Sequence, residues 1–216
     1  MEKADLFDNL PETTRVPLAE GAVFLRGFAL QYEALLLNDL KSIITQSPFR
    51  HMVTPGGFTM SVTMTNCGKL GWVTDRKGYR YDALDFNTGK PWPVMPASFS
   101  ALGTQAALEA GFTDFVPDAC LINQYKTGAR MSLHQDKDER DFNQPIVSVS
   151  LGVPATFLFG GFERTDRTIK ILLNHGDVIV WGGKSRMRYH GVSPLKTEHH
   201  PVFGSCRINL TFRKAG

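Results

Sequence analysis

Cysteine is scarce in this chain: there are three, Cys67, Cys120 and Cys206, widely spaced and with no Cys-x-x-Cys pair. An odd and scattered set argues against a disulfide framework and for reduced, mostly buried thiols, as in a cytoplasmic protein. No run approaches the ~18 apolar residues a membrane-spanning helix needs. The opening MEKADLFDNL is acidic and has no apolar stretch of the signal-peptide kind. Internal repeats and low-complexity tracts are absent. Charge of one sign is in short supply too, the net being +3. Residues 1–33 carry six acids against three bases, which leaves a mildly basic remainder that permits phosphate contacts without demanding them.

What is present is an ordinary globular composition, 42% hydrophobic and 21% charged over 216 residues. That length removes ~70% of the unfolded surface on folding and fits one domain or a domain with an appendage. EKADLFDNLPETT lacks a sustained apolar period, so residues 1–15 are expected to be a flexible tail. AVFLRGF (22–28) reads as a strand. The segment up to Ile44 reads as an amphipathic helix, with Leu36, Leu40, Ile43 and Ile44 at helical spacing and Ser47-Pro48 stopping it.

TMSVTMTN (59–66) alternates apolar and polar, as a half-buried antiparallel strand does. GKLGWVTDRKGYRYD (68–82), rich in Gly, aromatics and bases, suggests a hairpin or mobile loop. PASFSALGTQAALEAG (96–111) has Pro first and Gly last, as helices prefer. From residue 117 the texture changes to short strand-like runs separated by turn residues: ACLINQY, MSLHQD, PIVSVSLG, ATFLFGG, IKILLNHGDVIVWGG, MRYHGV and CRINLTFR. Many short strands with Gly/Pro turns imply a sandwich or jelly roll in a mainly β (α+β) chain.

Within those runs LHQDKD (133–138) places a histidine and two carboxylates between apolar stretches. Buried charges are costly unless paired or bound to metal. In a strand, residues i and i+2 project from one face, so His134 and Asp136 are expected to point together. A histidine from a strand lying across the sandwich would complete two His and one carboxylate, a set that leaves positions open for non-haem Fe(II) oxygen chemistry. His190, in RYHG, is the candidate. His51, His175, His199 and His200 sit in a helix-end segment, a polar turn and an exposed loop, and are read as structural or solvated. In RINLTFR, Arg207, Asn209, Thr211 and Arg213 share one face. An amphipathic strand with a wet face would look the same, yet arginine forks match carboxylates, so a dicarboxylate cosubstrate is the economical hypothesis.

QSPFRHMVTPGGFTMSVTMTNCG, PDACLINQY, SLHQDKDE, PIVSVSLG, HGDVIVWGG, YHGV and CRINLTFR together resemble the AlkB family of Fe(II)/2-oxoglutarate dioxygenases that repair alkylated DNA and RNA. The resemblance runs from about residue 16 to 213. It implies a double-stranded β-helix (jelly roll) core over 116–216, with helices packed on one side. Residues 16–115 would be an N-terminal extension and nucleotide-recognition lid. It implies His134, Asp136 and His190 as Fe(II) ligands, and Arg207 and Arg213 on the carboxylates of 2-oxoglutarate, helped by Leu121, Asn123, Tyr125 and Asn209. O2 would be the second cosubstrate.

The same resemblance implies oxidative demethylation of N1-methyladenine and N3-methylcytosine in single-stranded DNA, and in RNA, with release of formaldehyde, succinate and CO2. Trp72 would stack on the extruded base, Tyr79 and Tyr81 would contact the substrate backbone, Asp138 would face the cationic ring, and Arg164 would add a polar contact. A cytoplasmic monomer is expected. The alternatives are a dioxygenase acting on protein side chains or small molecules, a zinc hydrolase using the same triad, and a non-catalytic binding module.

Overall fold

The computed structural model describes residues 14–216. The expected tail, 1–15, therefore lies outside the described residues except for its last two positions, and Arg15 already opens a strand. In chain order the elements are β1 (Arg15–Ala19), β2 (Ala22–Leu25), α1 (Glu33–Gln46), β3 (Arg50–Val53), β4 (Thr59–Gly68), β5 (Gly71–Asp75) and β6 (Gly78–Asp82). There follow α2 (Ala97–Glu109), β7 (Ala119–Lys126), β8 (Met131–His134), β9 (Ile146–Gly152), β10 (Ala155–Phe159), β11 (Ile169–Leu173), β12 (Val178–Trp181), β13 (His190–Val192) and β14 (Cys206–Arg213).

Two sheets face each other as a jelly roll. The larger runs β1-β2-β12-β9-β14-β7-β4-β3 and the smaller β11-β10-β13-β8, while β5 and β6 form a separate hairpin. The hairpin is the one expected from 68–82. The strand read over 22–28 stops at Leu25, because Gly27 turns the chain at φ +61° and its N–H is held by Asp177 Oδ1 at 2.8 Å.

Strand β14 shows how the sequence builds two cores from one sheet. Its even-numbered residues Ile208, Leu210 and Phe212 join Leu36, Leu40 and Ile43 of α1 and Phe99, Leu102 and Ala106 of α2 in an outer core. Each fully buried apolar side chain of this size contributes about 1.5–3 kcal/mol. Gly103 lets α2 come close, since a Cβ there would lie 3.2 Å from the Phe212 ring. The inner core between the sheets holds Ile146, Phe157, Phe159, Ile179 and Trp181. The odd-numbered residues of β14 point into the same inter-sheet space, and that is where the polar groups collect.

Residues 16–115 extend the same eight-stranded sheet as 116–216: β2 pairs with β12 and β4 with β7. Local pattern specifies a strand but not the strand it pairs with, so this shared sheet was not visible in the sequence. The β5–β6 hairpin is the one pair of described strands outside the two main sheets, and β5 packs against β3, β4 and β7. No helix among the described residues is long and apolar enough to cross a membrane.

Candidate active site

Antiparallel β8 and β13 place His134 directly opposite His190, with ring centroids 4.4 Å apart. Asp136 is not on β8, as strand alternation suggested, but two residues past its end; the chain bends there and still brings the carboxylate in. His134 Nε2 lies 3.6 Å from Asp136 Oδ1, and His190 Nε2 lies 3.6 Å from Oδ2. One ligand atom from each of the three lies within 4.8 Å of the others, the span one metal ion can bridge. Each imidazole Nδ1 meets a carbonyl two residues back, Ser132 at 2.9 Å and Arg188 at 3.1 Å. A carbonyl can only accept, so Nδ1 carries the proton and Nε2 presents its lone pair to the cluster.

Burial alone would raise the Asp136 carboxyl, but the Arg213 guanidinium and the two imidazoles outweigh it and hold it well below the usual carboxylate range. It is therefore ionised and ready to ligate. Burial pushes the His190 imidazole down, with His134 adding to the effect, which keeps it in the neutral, ligating form. At His134 burial also works downward, but Asp136 overrides it and the net shift is upward.

Register explains the polar floor. Arg207 pairs with Tyr125, Asn209 with Asn123 and Thr211 with Leu121 across β14 and β7. These residues, with Ser148 of β9, line one cavity of about 760 Å³ that also contains the His-Asp-His cluster. Arg207 is 1% exposed; its Nε donates to Ser150 Oγ at 2.9 Å, and its guanidinium lies 5.0 Å from the Tyr125 ring centroid. Its Nη1 has no hydrogen-bond partner among the described residues, and neither has Asn123 Oδ1. Orphaned buried donors on a cation are costly unless an anion arrives. Asn209 is held by donating to Ser148 Oγ and the Val149 carbonyl, and by accepting from Thr211 and Asn123. Arg213 Nη2 donates to Asp136 Oδ2 at 2.6 Å.

These residues fit a divalent ion and a dicarboxylate: two imidazoles that turn Nε2 to the cluster and a carboxylate, a set of the kind Fe(II) accepts, and on the cavity floor an Arg207 guanidinium whose Nη1 is unsatisfied. The model of the 2OG-Fe(II) oxygenase superfamily matches residues 21–213. The chain belongs to that superfamily. Within it, this oxygenase is 59% identical over 212 residues to the alpha-ketoglutarate-dependent dioxygenase AlkB of Escherichia coli (strain K12), covering 98% of each chain. It is 45% identical over 171 residues to the alpha-ketoglutarate-dependent dioxygenase AlkB homolog of Caulobacter vibrioides, covering 79% of this chain and 76% of the other. Among solved structures, OsALKBH1 superposes with a TM-score of 0.77 at 29% identity, covering 93% of this chain and all of that one. The chain is an AlkB-type dioxygenase, and Fe(II), 2-oxoglutarate and O2 are its cofactor and cosubstrates. Family membership sets aside the hydrolase and the non-catalytic module.

At the cavity mouth of this oxygenase stand Trp72, Tyr79, Asp138 and Arg164. Trp72 stacks on Tyr79 with centroids 5.7 Å apart, and its Nε1 donates to Asp138 Oδ2 at 2.8 Å. The Arg164 guanidinium lies 5.8 Å from the Tyr189 ring centroid. Tyr81 does not line the cavity: its hydroxyl donates to Glu139 Oε1 at 2.7 Å. The sequence reading missed Glu139 and Arg186, whose side chains pair at 2.8 Å with only 3% of each exposed. No local signal marks them, since both stand in charged runs. Of the histidines set aside, His175 is tied to the Gly152 N–H and Glu33, and His51 Nδ1 to the Met60 carbonyl.

Proposed function

We propose that this dioxygenase removes methyl groups from the ring nitrogens of N1-methyladenine and N3-methylcytosine in single-stranded DNA, and in RNA, as a cytoplasmic monomer. The observation that carries the reading is one cavity: an ion-binding cluster in its wall, an unsatisfied guanidinium on its floor and an aromatic-acidic pair at its mouth. The names of the relatives, AlkB dioxygenases and nucleic acid dioxygenases, support a nucleic-acid substrate.

His134, Asp136 and His190 would hold Fe(II), which with 2-oxoglutarate and O2 supplies the oxidising power to hydroxylate the methyl group, leaving succinate and CO2. Arg207 would anchor one carboxylate of the cosubstrate from the floor, helped by Tyr125, Asn123 and Asn209. Arg213, which already holds Asp136, would take the other. The methyl lies on the pairing edge of the base, so the base must leave the duplex or come from a single strand. Trp72 offers a stacking face worth ~1–3 kcal/mol, with the His134 ring across the cavity. Tyr79 and Arg164, both at the cavity mouth, would steady the strand on either side.

Asp138 faces a ring that methylation has made cationic; its charge favours that base over the neutral, unmethylated one. The N-hydroxymethyl product loses the hydroxyl proton, the C–N electron pair returns to the ring nitrogen, and formaldehyde departs from a neutral base. The free state of Cys67, Cys120 and Cys206 supports a reducing compartment. The test is to load the protein with Fe(II) and 2-oxoglutarate without air, then add O2 and a single-stranded N3-methylcytosine oligomer. Formaldehyde equal to the succinate formed is expected. Methylated peptides that outrun the oligomer would overturn the substrate assignment.

A further inference from the structure

Arg186 and Glu139 are buried, 2% and 7% exposed, and none of the roles given above uses them. An ion pair at that depth is a poor way to gain stability, because desolvation offsets most of its attraction. Its geometry points elsewhere. The Arg186 guanidinium uses all three nitrogens: Nε donates to the Gln144 carbonyl at 3.1 Å, Nη1 to the Asp136 carbonyl at 2.7 Å and Nη2 to Glu139 Oε2 at 2.8 Å. Asp136 and Gln144 stand at opposite ends of the β8–β9 loop, and Arg186 itself lies four residues before His190. Phe142, from the same loop, lies 5.3 Å from the guanidinium carbon. Glu139 turns its other oxygen to the Tyr81 hydroxyl and lies 3.2 Å from Arg213 Nε, while Arg213 Nη2 grips the Asp136 carboxylate.

We infer that Arg186 and Glu139 are positioning residues for the metal centre. The guanidinium fixes the main chain at Asp136, and the carboxylate fixes the Arg213 fork that aims the Asp136 side chain. Neither touches metal or substrate. Together they bind the loop of the second ligand to the turn that delivers the third. The inference rests on His134, Asp136 and His190 being the ligands.

The test measures Co(II) binding by calorimetry, the Co(II) absorption spectrum and the Tm of the metal-free protein. It uses the parent, Arg186→Lys, and the double variant Arg186→Met with Glu139→Gln. Lysine keeps the charge but, as a point donor, cannot hold three acceptors at once. The double variant keeps the cluster neutral and leaves no buried charge unpaired. Both are expected to keep Tm within about 5 °C of the parent. Both should bind Co(II) about 10–100-fold more weakly, as when groups that orient metal ligands are removed, with an altered Co(II) spectrum. A Co(II) Kd within twofold of the parent in either folded variant overturns the inference. So does a weakening fully matched by lost stability with the spectrum unchanged. A parent that binds no Co(II) would instead overturn the ligand assignment beneath it.

Discussion

Arg207 and Tyr125 stand opposite each other on β14 and β7, with the guanidinium carbon 5.0 Å from the ring centroid and Nη1 left without a partner. The floor of the cavity is thus a buried cation waiting for an anion. Truncating one partner of a buried charge pair costs about 2–5 kcal/mol, so Arg207→Met is expected to raise the 2-oxoglutarate Kd on the order of 100-fold. Co(II) affinity without cosubstrate should stay within about threefold. Because the substitution removes an unsatisfied buried charge, Tm without cosubstrate should hold or rise. Anaerobic titration and thermal melts check both, and an unchanged 2-oxoglutarate Kd would place the cosubstrate elsewhere.

Asp136→Ala removes the carboxylate between two imidazoles that are each 3.6 Å away. Arg213 keeps Glu139 as a neighbour at 3.2 Å, so the fold is expected to persist. Succinate formation should fall below about 1% of the parent, with or without a methylated oligomer, since two remaining ligands hold Fe(II) poorly. Retained cosubstrate turnover in the folded variant would remove Asp136 from the ligand set.

Trp72→Ala separates the two halves of the cavity. The side chain joins the β5–β6 hairpin to Asp138 and stacks on Tyr79, whereas the buried Arg207 is held by Ser150 and Tyr125. A lost stacking face of ~1–3 kcal/mol corresponds to roughly 5–150-fold in Kd for an N3-methylcytosine oligomer. The 2-oxoglutarate Kd should move less than about twofold. Equal losses in both affinities would show that Trp72 supports the hairpin and does not stack on a base.

The parts of the site legible in the sequence were those with a short period. Arg207, Asn209, Thr211 and Arg213 alternate with Ile208, Leu210 and Phe212, and the two sets do separate into cavity floor and outer core. His134 and Asp136 are two apart, and they meet even though the strand ends between them. Glu139 and Arg186 escaped for the opposite reason. DKDERD and GGKSRMR look like solvated loops, and only the distant Tyr81, Arg213 and Gln144 turn them into a buried network. The role of β1–β4 in the main sheet was equally hidden, because a strand's pattern specifies its faces but not its neighbours.

Gly191 lies between the ligand His190 and Val192 on β13, and there the strand runs against β8 with no room to spare. A Cβ at this position would stand 2.7 Å from the Met131 carbonyl oxygen and 3.2 Å from the Leu133 nitrogen. Both obstacles are backbone, so no side chain can swing aside, and β13 itself must retreat. That retreat would pull His190 from its place opposite His134. Gly191→Ala is therefore expected to weaken Co(II) binding more than about 10-fold, the scale on which misoriented ligands cost affinity. Overpacking of about 1–3 kcal/mol should also lower Tm by roughly 2–12 °C. A variant that loses this stability yet binds Co(II) like the parent would show that the close β8–β13 approach does not seat the ion.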